Sequence, residues 1–330
     1  MNLATKYLGL TLDNPLVVGA SPFCDNIAAA RQLQDAGAAA IVMRSLFEEQ
    51  IDAEQRALLH HVEGPAEATA EATSFFPGFS EYQLTPDNYL RQITHLKQSL
   101  TIPVIASLNG CRPGGWTDYA QRFEAAGADA IELNLYQLVT DRTVAGDQIE
   151  ADMLETVGNV VRAVKVPVSV KLSPFHTSPA NFVSELESVG ARGVVIFNRF
   201  YQPDFNIEDL EVQPQLRLSD PSELLLRLRW LAILSPHLRG SLAASGGVHT
   251  TEDIVKSILA GAHAVQVVSV LLRNGPRILT TLLGGLKHWL TERGYDNIDQ
   301  LRGALNLGHC PDPSAFERAN YIRILQSWRV

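Results

Sequence analysis

Val166-Pro-Val-Ser-Val-Lys-Leu172 is an apolar run that carries one amine. In an extended chain successive side chains point to opposite faces, so Val168, Val170 and Leu172 share one face while Ser169 and Lys171 share the other. A lysine inside a buried parallel strand is costly unless an anion or polar group meets it. Its chemistry would be a fixed positive charge or, deprotonated, the nucleophile of a Schiff base. The same parity in Ala130-Ile-Glu-Leu-Asn-Leu135 sets Glu132 beside Asn134, opposite Ile131, Leu133 and Leu135. Arg44, Ser107 with Asn109, and Asn198 end three further apolar runs. Singly, each could close a strand end by hydrogen bonding. Jointly, Arg44, Lys171 and several amides would ring one mouth, a set suited to binding a small polar molecule.

A second constellation is Ser241 to Ser269, SLAASGGVHTTEDIVKSILAGAHAVQVVS. It reads as two strands around a helix. Gly246 and Gly247 at the first turn let the backbone approach a ligand closely, and Thr250 or Thr251 caps the helix with Glu252 and Asp253 in its first turn. Free amides at such a turn, with a helix N-terminus, favour an anion such as phosphate. The second strand is expected to end at Ser269, whose hydroxyl would join that site. A plain tight turn is the competing interpretation of the glycine pair.

The elements that must position these residues are repeated. Ala36-Gly-Ala, Ala126-Gly-Ala, Val189-Gly-Ala and Ala260-Gly-Ala each follow a helix-like segment and open a strand-like one, with glycine where a helix end wants a left-handed residue. Runs opened by proline or glycine, at Pro15, Pro103, Pro167 and Gly240, supply four more strands. Helices are expected over 26–36, 87–99, 116–126, 150–163, 179–189, 222–236, 250–260 and 276–293. Eight alternating units predict a (β/α)8 TIM barrel over a single domain, residues 1–330, rather than a doubly wound sheet. Two connections exceed what a barrel needs, Phe47 to Pro86 after strand two and Arg199 to Pro221 after strand six. Such loops form lids, site walls or subunit contacts. The segment from Ile298 to Val330 reads as a helical tail outside the barrel.

Composition limits the function. The 330 residues are 46% hydrophobic and 19% charged with a net charge of -9, which argues for a buried globular core and against a nucleic-acid partner. Cys24, Cys111 and Cys310 show no metal-ligand spacing and suggest reduced thiols. His60-His61 stands in an acidic loop without spaced ligands and suggests surface or lid rather than a metal site. No apolar run approaches membrane-spanning length and no signal architecture opens the chain, so a cytoplasmic protein is expected.

Taken together, NPLVVGASPFC, IELNL, VKLSP, IFN, ASGGV and ERGYDNIDQLRGALN, in this order from Asn14 to Asn306, resemble the class 1 dihydroorotate dehydrogenases, FMN-dependent barrels of pyrimidine synthesis. Related flavin barrels, including the dihydropyrimidine dehydrogenase module, share much of the pattern. The resemblance implies an FMN-dependent oxidoreductase acting on a CH–CH bond of a small-molecule substrate, with a homodimer by analogy. It implies that Ala20 and Ser21 lie beside the flavin ring and that Lys171 reaches its N1/O2 edge. Arg44, where the family usually has lysine, Ser107, Asn134 and Asn198 would contact flavin, with Arg44, Asn134 and Asn198 also toward substrate. Gly246, Gly247 and Ser269 would cradle the phosphate, with Val268 replacing a glycine.

The chain departs from that pattern after strand four. The family reads Asn-Leu-Ser-Cys-Pro-Asn, with cysteine as the base; this chain reads Asn134-Leu-Tyr-Gln-Leu-Val139. Gln137 occupies the position of the base, and a neutral amide is no base near neutral pH. Val139 replaces a substrate-binding asparagine, Phe75-Phe-Pro-Gly78 stands where another follows a proline, and the glycine-rich loop after strand six is missing. Tyr136, Thr140, Asp141, His176, Cys24 and Cys111 are the alternative proton acceptors by position. Three readings follow: a dihydroorotate dehydrogenase-type oxidoreductase, a flavin-binding paralogue with another substrate or no turnover, and a Schiff-base aldolase or isomerase built on Lys171.

Overall fold

The computed structural model describes residues 1–51, 85–110, 116–213, 216–318 and 320–327. A short antiparallel hairpin, β1 (Thr5–Tyr7) with β2 (Leu10–Leu12), precedes the parallel strands β3 (Leu16–Val18), β4 (Ala40–Phe47), β5 (Val104–Gly110), β6 (Ala130–Leu135), β7 (Val168–Leu172) and β8 (Gly193–Ile196). A second hairpin, β9 (Asp204–Asn206) with β10 (Glu211–Gln213), lies in the connection after β8. Strands β11 (Ser241–Ser245) and β12 (Ala264–Val267) complete a closed parallel barrel in the order β3-β4-β5-β6-β7-β8-β11-β12, with β12 pairing back to β3. The expected TIM barrel is the fold observed.

The helices are α1 (Ile27–Asp35), α2 (Pro86–Ser99), α3 (Trp116–Ala125), α4 (Gly146–Ala163), α5 (Pro179–Ser188), α6 (Leu224–Leu234), α7 (Thr251–Ala260), α8 (Ser269–Asn274), α9 (Ile278–Glu292) and α10 (Asn320–Ser327). Side chains set their starts. Asn26 accepts from the amides of Ala28 and Ala29, while Thr250 and Asp253 form a reciprocal capping box on α7. The four repeat glycines, Gly37, Gly127, Gly190 and Gly261, have φ between 101° and 118°, the left-handed exit the repeat foretold. The expected helical tail consists of 3-10 turns at Ile298–Gln300 and Pro313–Ala315 followed by α10, whose Tyr321, Ile322 and Leu325 are exposed.

Two apolar layers hold the barrel. The larger lies between strands and helices and includes Leu33, Ile93, Phe123, Phe182, Leu231 and Leu286. The smaller fills the lower lumen, where Val17, Val42, Ile105, Val195 and Ala243 meet Tyr7, Leu8 and Leu12 of the first hairpin. That hairpin therefore plugs the N-terminal end of the barrel. Above this plug the lumen turns polar, because the next inward positions on five strands are Ser107, Glu132, Lys171, Ser245 and Gln266.

Candidate active site

At the C-terminal mouth of the barrel is a cavity of about 860 Å³. Its floor is the polar layer. Lys171 Nζ lies 3.4 Å from Glu132 Oε1 and donates to Gln266 Oε1 at 3.0 Å, while Gln266 Nε2 donates to Glu132 Oε2 at 2.5 Å. Glu132 and Lys171 are 1% and 6% exposed, so each is the other's compensation for lost water. Lysine has no acceptor, so it requires the oxygen of Gln266, which leaves the nitrogen for Glu132. Sequence parity paired Lys171 with Asn134 and Glu132 but missed Gln266, a polar residue in HAVQVVS that stands at an inward position of β12.

The floor continues upward through Asn109 and Asn134, which face each other across β5 and β6, and Asn134 is in register with Lys171. Ala20 and Ser21 enter from the connection after β3, and Asn198 from just beyond β8. Ser21 Oγ and Asn134 Oδ1 are buried without a hydrogen-bond partner, although both residues line the cavity.

Arg44 lines the cavity but does not end its strand, and Ser107 is withdrawn from the cavity wall. The strand carrying Arg44 runs on to Phe47, and its register against β5 slips between Val42 and Ser45, a bulge. A bulge inserts one residue and re-aims its side chain. Arg44 is thereby turned toward the 3-10 helix Pro22–Asp25, where Nη1 meets Asp25 Oδ2 at 2.7 Å, and still lines the cavity edge. Ser45 takes up the inward position and bonds Ser107 Oγ at 2.8 Å. Ser107 is fully buried in that contact and against the Tyr89 hydroxyl, and it is not part of the cavity wall.

The glycine pair lines the cavity and is also demanded by packing. Gly246 and Gly247 have φ of 93° and 79°, and a Cβ on Gly247 would fall 2.5 Å from the backbone nitrogen of Leu224. A Cβ on Gly246 would meet Arg227 Nη2 at 2.9 Å. The glycines are thus demanded by the turn and by close packing of α6. Arg227, 6% exposed, donates to the carbonyls of Ser245 and Glu223 and ties that turn to the helix. The Gly247 amide donates to Ser219 Oγ, and the Ser219 amide and hydroxyl both reach Ser269 Oγ, at 3.0 and 2.8 Å. Ser269 begins α8 rather than ending a strand, since β12 stops at Val267. Ser219, which the sequence reading passed over, completes this cluster of hydroxyls and amides.

Of the alternative proton acceptors among the described residues, only Tyr136 lines the cavity. Burial raises its phenol pKa, against a weaker pull from the Tyr201 backbone. Asp141 is fully exposed and lowered by hydrogen bonds from Thr143; Thr140 is exposed; neither lines the cavity. His176 pairs with Glu150 at 3.1 Å and stacks on Phe182, away from the cavity. Cys24 is buried, its thiol pushed up to about 12 by desolvation and by Asp25, and donates to the Val42 carbonyl. Gln137 is half-buried and Val139 exposed, and neither belongs to the cavity wall. Cys111, His60, His61 and Phe75 to Gly78 lie outside the described residues.

The sequence match to known families runs nearly the whole length of this barrel. A family model described as dihydroorotate dehydrogenase matches residues 2–290. The chain belongs to the dihydroorotate dehydrogenase family. Among similar curated proteins is a putative dihydroorotate dehydrogenase A (fumarate) of Aeropyrum pernix, 29% identical over 69% of this chain and 73% of the relative. The catalytic subunit of a dihydroorotate dehydrogenase B (NAD(+)) from Thermoplasma volcanium is 25% identical over 92% of this chain and 98% of the relative. The NAD-dependent dihydropyrimidine dehydrogenase subunit PreA of Escherichia coli K12 is 22% identical over 92% of this chain and 77% of its own length. This chain therefore stands among oxidoreductases of the dihydroorotate dehydrogenase family. Among its described residues no helix is long and apolar enough to cross a membrane, and no cluster of potential metal ligands occurs.

Proposed function

We propose that this protein is an FMN-dependent oxidoreductase acting on a CH–CH bond of a small molecule, with the flavin in the cavity above Lys171. The observation that carries this reading is the cavity's unspent bonding capacity. Ser21 Oγ and Asn134 Oδ1 are buried, unpartnered and part of its wall. A buried polar group left without a partner costs about 1–3 kcal/mol, which a ligand bearing complementary groups recovers. A cavity of about 860 Å³ also lies within the range of roughly 300–1,000 Å³ usual for cofactor sites.

FMN supplies hydride transfer at its N5 when bound. Lys171, held in place by Glu132 and Gln266, would set a positive charge against the pyrimidine edge of the ring. Ser219, Ser269 and the Gly246–Gly247 turn would receive the phosphate, by exchanging their mutual hydrogen bonds for bonds to its oxygens. Asn134, Asn198 and Asn109 would orient the substrate, each amide offering both donor and acceptor.

Dihydroorotate is the substrate the family suggests, and another substrate has specific support here. With Gln137 and Val139 outside the wall, the position at the mouth next to Asn134 and Leu135 is filled by Tyr136, whose phenol pKa burial raises. A protonated phenol gives a proton; it does not remove one. The absence of the family's base from the described wall favours a paralogue acting on another substrate. A Schiff-base role for Lys171 is disfavoured, because its ammonium is engaged by two acceptors at the bottom of the lumen.

The test is the visible spectrum of protein supplied with FMN, held anaerobically, before and after addition of dihydroorotate. A retained flavin band that bleaches supports dihydroorotate oxidation. A band that persists supports the paralogue. Failure to retain FMN would sink the cofactor assignment.

A further inference from the structure

The floor of the cavity closes a count of donors and acceptors. Lys171 and Gln266 line the cavity, whereas Glu132, 1% exposed, stands behind them and is not part of the described wall. Three contacts join the three side chains: Lys171 Nζ with Glu132 Oε1 at 3.4 Å, Lys171 Nζ with Gln266 Oε1 at 3.0 Å, and Gln266 Nε2 with Glu132 Oε2 at 2.5 Å. An ammonium only donates and an ionised carboxylate only accepts, so an amide between them must turn its oxygen to the first and its nitrogen to the second. A neutral amide at position 132 would break this count. With its oxygen toward Lys171, its nitrogen would face the nitrogen of Gln266; with Gln266 turned over, a nitrogen would face Lys171 instead. The position requires a carboxylate, and a polar group of the same shape does not replace it.

That carboxylate has an electrostatic consequence. Lys171 commits two of its three N–H donors to the floor, which leaves the third for the cavity it lines. Its charge is opposed by one of opposite sign 3.4 Å away, where burial leaves little water or salt to screen either. A ligand above the floor therefore meets the field of a lysine–glutamate pair, which is weaker than that of a lone lysine.

We propose that Glu132 is a positioning residue that lowers the reduction potential of bound FMN by offsetting the charge of Lys171, with Gln266 holding the pair in register. This rests on the reading that FMN lies above Lys171. Two-electron reduction leaves negative charge on the pyrimidine edge of a flavin, so an unopposed lysine there would favour the reduced form, and the carboxylate behind it withholds part of that preference. The bound reduced flavin is thereby kept a stronger hydride donor.

The experiment first measures FMN retention by the full chain, then the two-electron midpoint of the FMN-loaded protein against reference dyes. Glu132→Gln is expected to favour reduced over oxidised FMN by about ten-fold relative to the parent, a rise of about 30 mV. Glu132→Gln combined with Gln266→Glu exchanges the two groups. In the exchange every donor again finds an acceptor, and the carboxylate moves from behind the floor to the cavity wall. It should melt near the parent, and its midpoint should fall below the parent's by about three-fold or more in the same ratio, since the negative charge then borders the flavin. Disturbed packing alone would not move the two midpoints in opposite directions. An unchanged or lower midpoint in folded Glu132→Gln, or an exchange whose midpoint does not fall below the parent's, would overturn the proposal; the exchange decides alone where the single variant does not fold. Protein that retains no FMN would instead refute the cofactor reading beneath it.

Discussion

Lys171, Glu132 and Gln266 form a unit whose members depend on one another. Removing one partner of a buried ion pair leaves an uncompensated charge and costs about 3–5 kcal/mol, whereas removing both can be nearly neutral. Lys171→Met should therefore lower the urea midpoint sharply, and Lys171→Met combined with Glu132→Gln should recover most of the loss. Both variants should bind FMN more weakly in a fluorescence titration. Equal stability of the single and double variants would count against the pairing. This unit was half legible in the sequence: period-two parity placed Lys171, Glu132 and Asn134 inside because β6 and β7 are regular. Arg44 and Ser45 escaped the same arithmetic because the bulge in β4 shifts parity by one, and nothing in Met43-Arg44-Ser45 announces a bulge.

At the scale of elements, the turn after β11 shows how packing and binding demands coincide. A non-glycine residue held in the left-handed region costs roughly 1–2 kcal/mol, and a Cβ at position 247 would also press on the Leu224 backbone at 2.5 Å. Gly247→Ala is expected to lower thermal stability by more than the strain alone and to weaken FMN binding by displacing the amide that faces Ser219. A parallel melt and flavin titration read both effects. The glycine pair was visible in the sequence, but α6 as its neighbour was not, since that contact joins segments distant in the chain. Local signals served better for capping: Thr250 and Asp253 meet within one turn, and the structure has the predicted cap. The helix expected over 276–293 is α9, Ile278–Glu292, whereas the short α8, Ser269–Asn274, which Gly275 with φ of 76° ends, had no signal in the sequence.

Stability at low pH also belongs to an element junction. His263, between α7 and β12, accepts the Leu242 amide on Nδ1 at 3.1 Å. Burial first, and Arg302 second, lower its pKa from 6.5 to about 4. The unfolded chain therefore takes up this proton at a higher pH than the folded one. The contribution of the neutral ring is complete above about pH 6.5 and is lost as pH falls toward 4, a decline of about 3 kcal/mol at most. Urea midpoints across that window should fall less steeply for His263→Gln than for the parent protein.

At the scale of the whole molecule, the lower lumen is closed by the hairpin of β1 and β2. Tyr7 is fully buried among lumen residues, and its hydroxyl stands beside Ser169 without a hydrogen bond of good geometry. Tyr7→Ala should cost about 3–5 kcal/mol through the cavity it opens. Tyr7→Phe keeps the ring and removes the stranded hydroxyl, and should be neutral or stabilising by about 1 kcal/mol. Chemical denaturation distinguishes the two, and a large loss for Tyr7→Phe would indicate a bond to the phenol. The eight-unit architecture was legible because each unit repeats the same glycine-ended exit. The plug was not, because three-residue strands in ATKYLGLTLDN carry too little period to register.

The plug also settles the traffic through the barrel. With the lower end filled by Tyr7, Leu8 and Leu12, the chamber above them is reached, among the described residues, from the mouth lined by Tyr136 and Tyr201. A guest on the Lys171 floor then lies beneath one held against Tyr136 and Tyr201. Occupancy then follows a last-in, first-out order: the deep guest is held captive for as long as the upper one remains. A saturating rim ligand should consequently slow the escape of a flavin already inside without touching it at equilibrium through any second path.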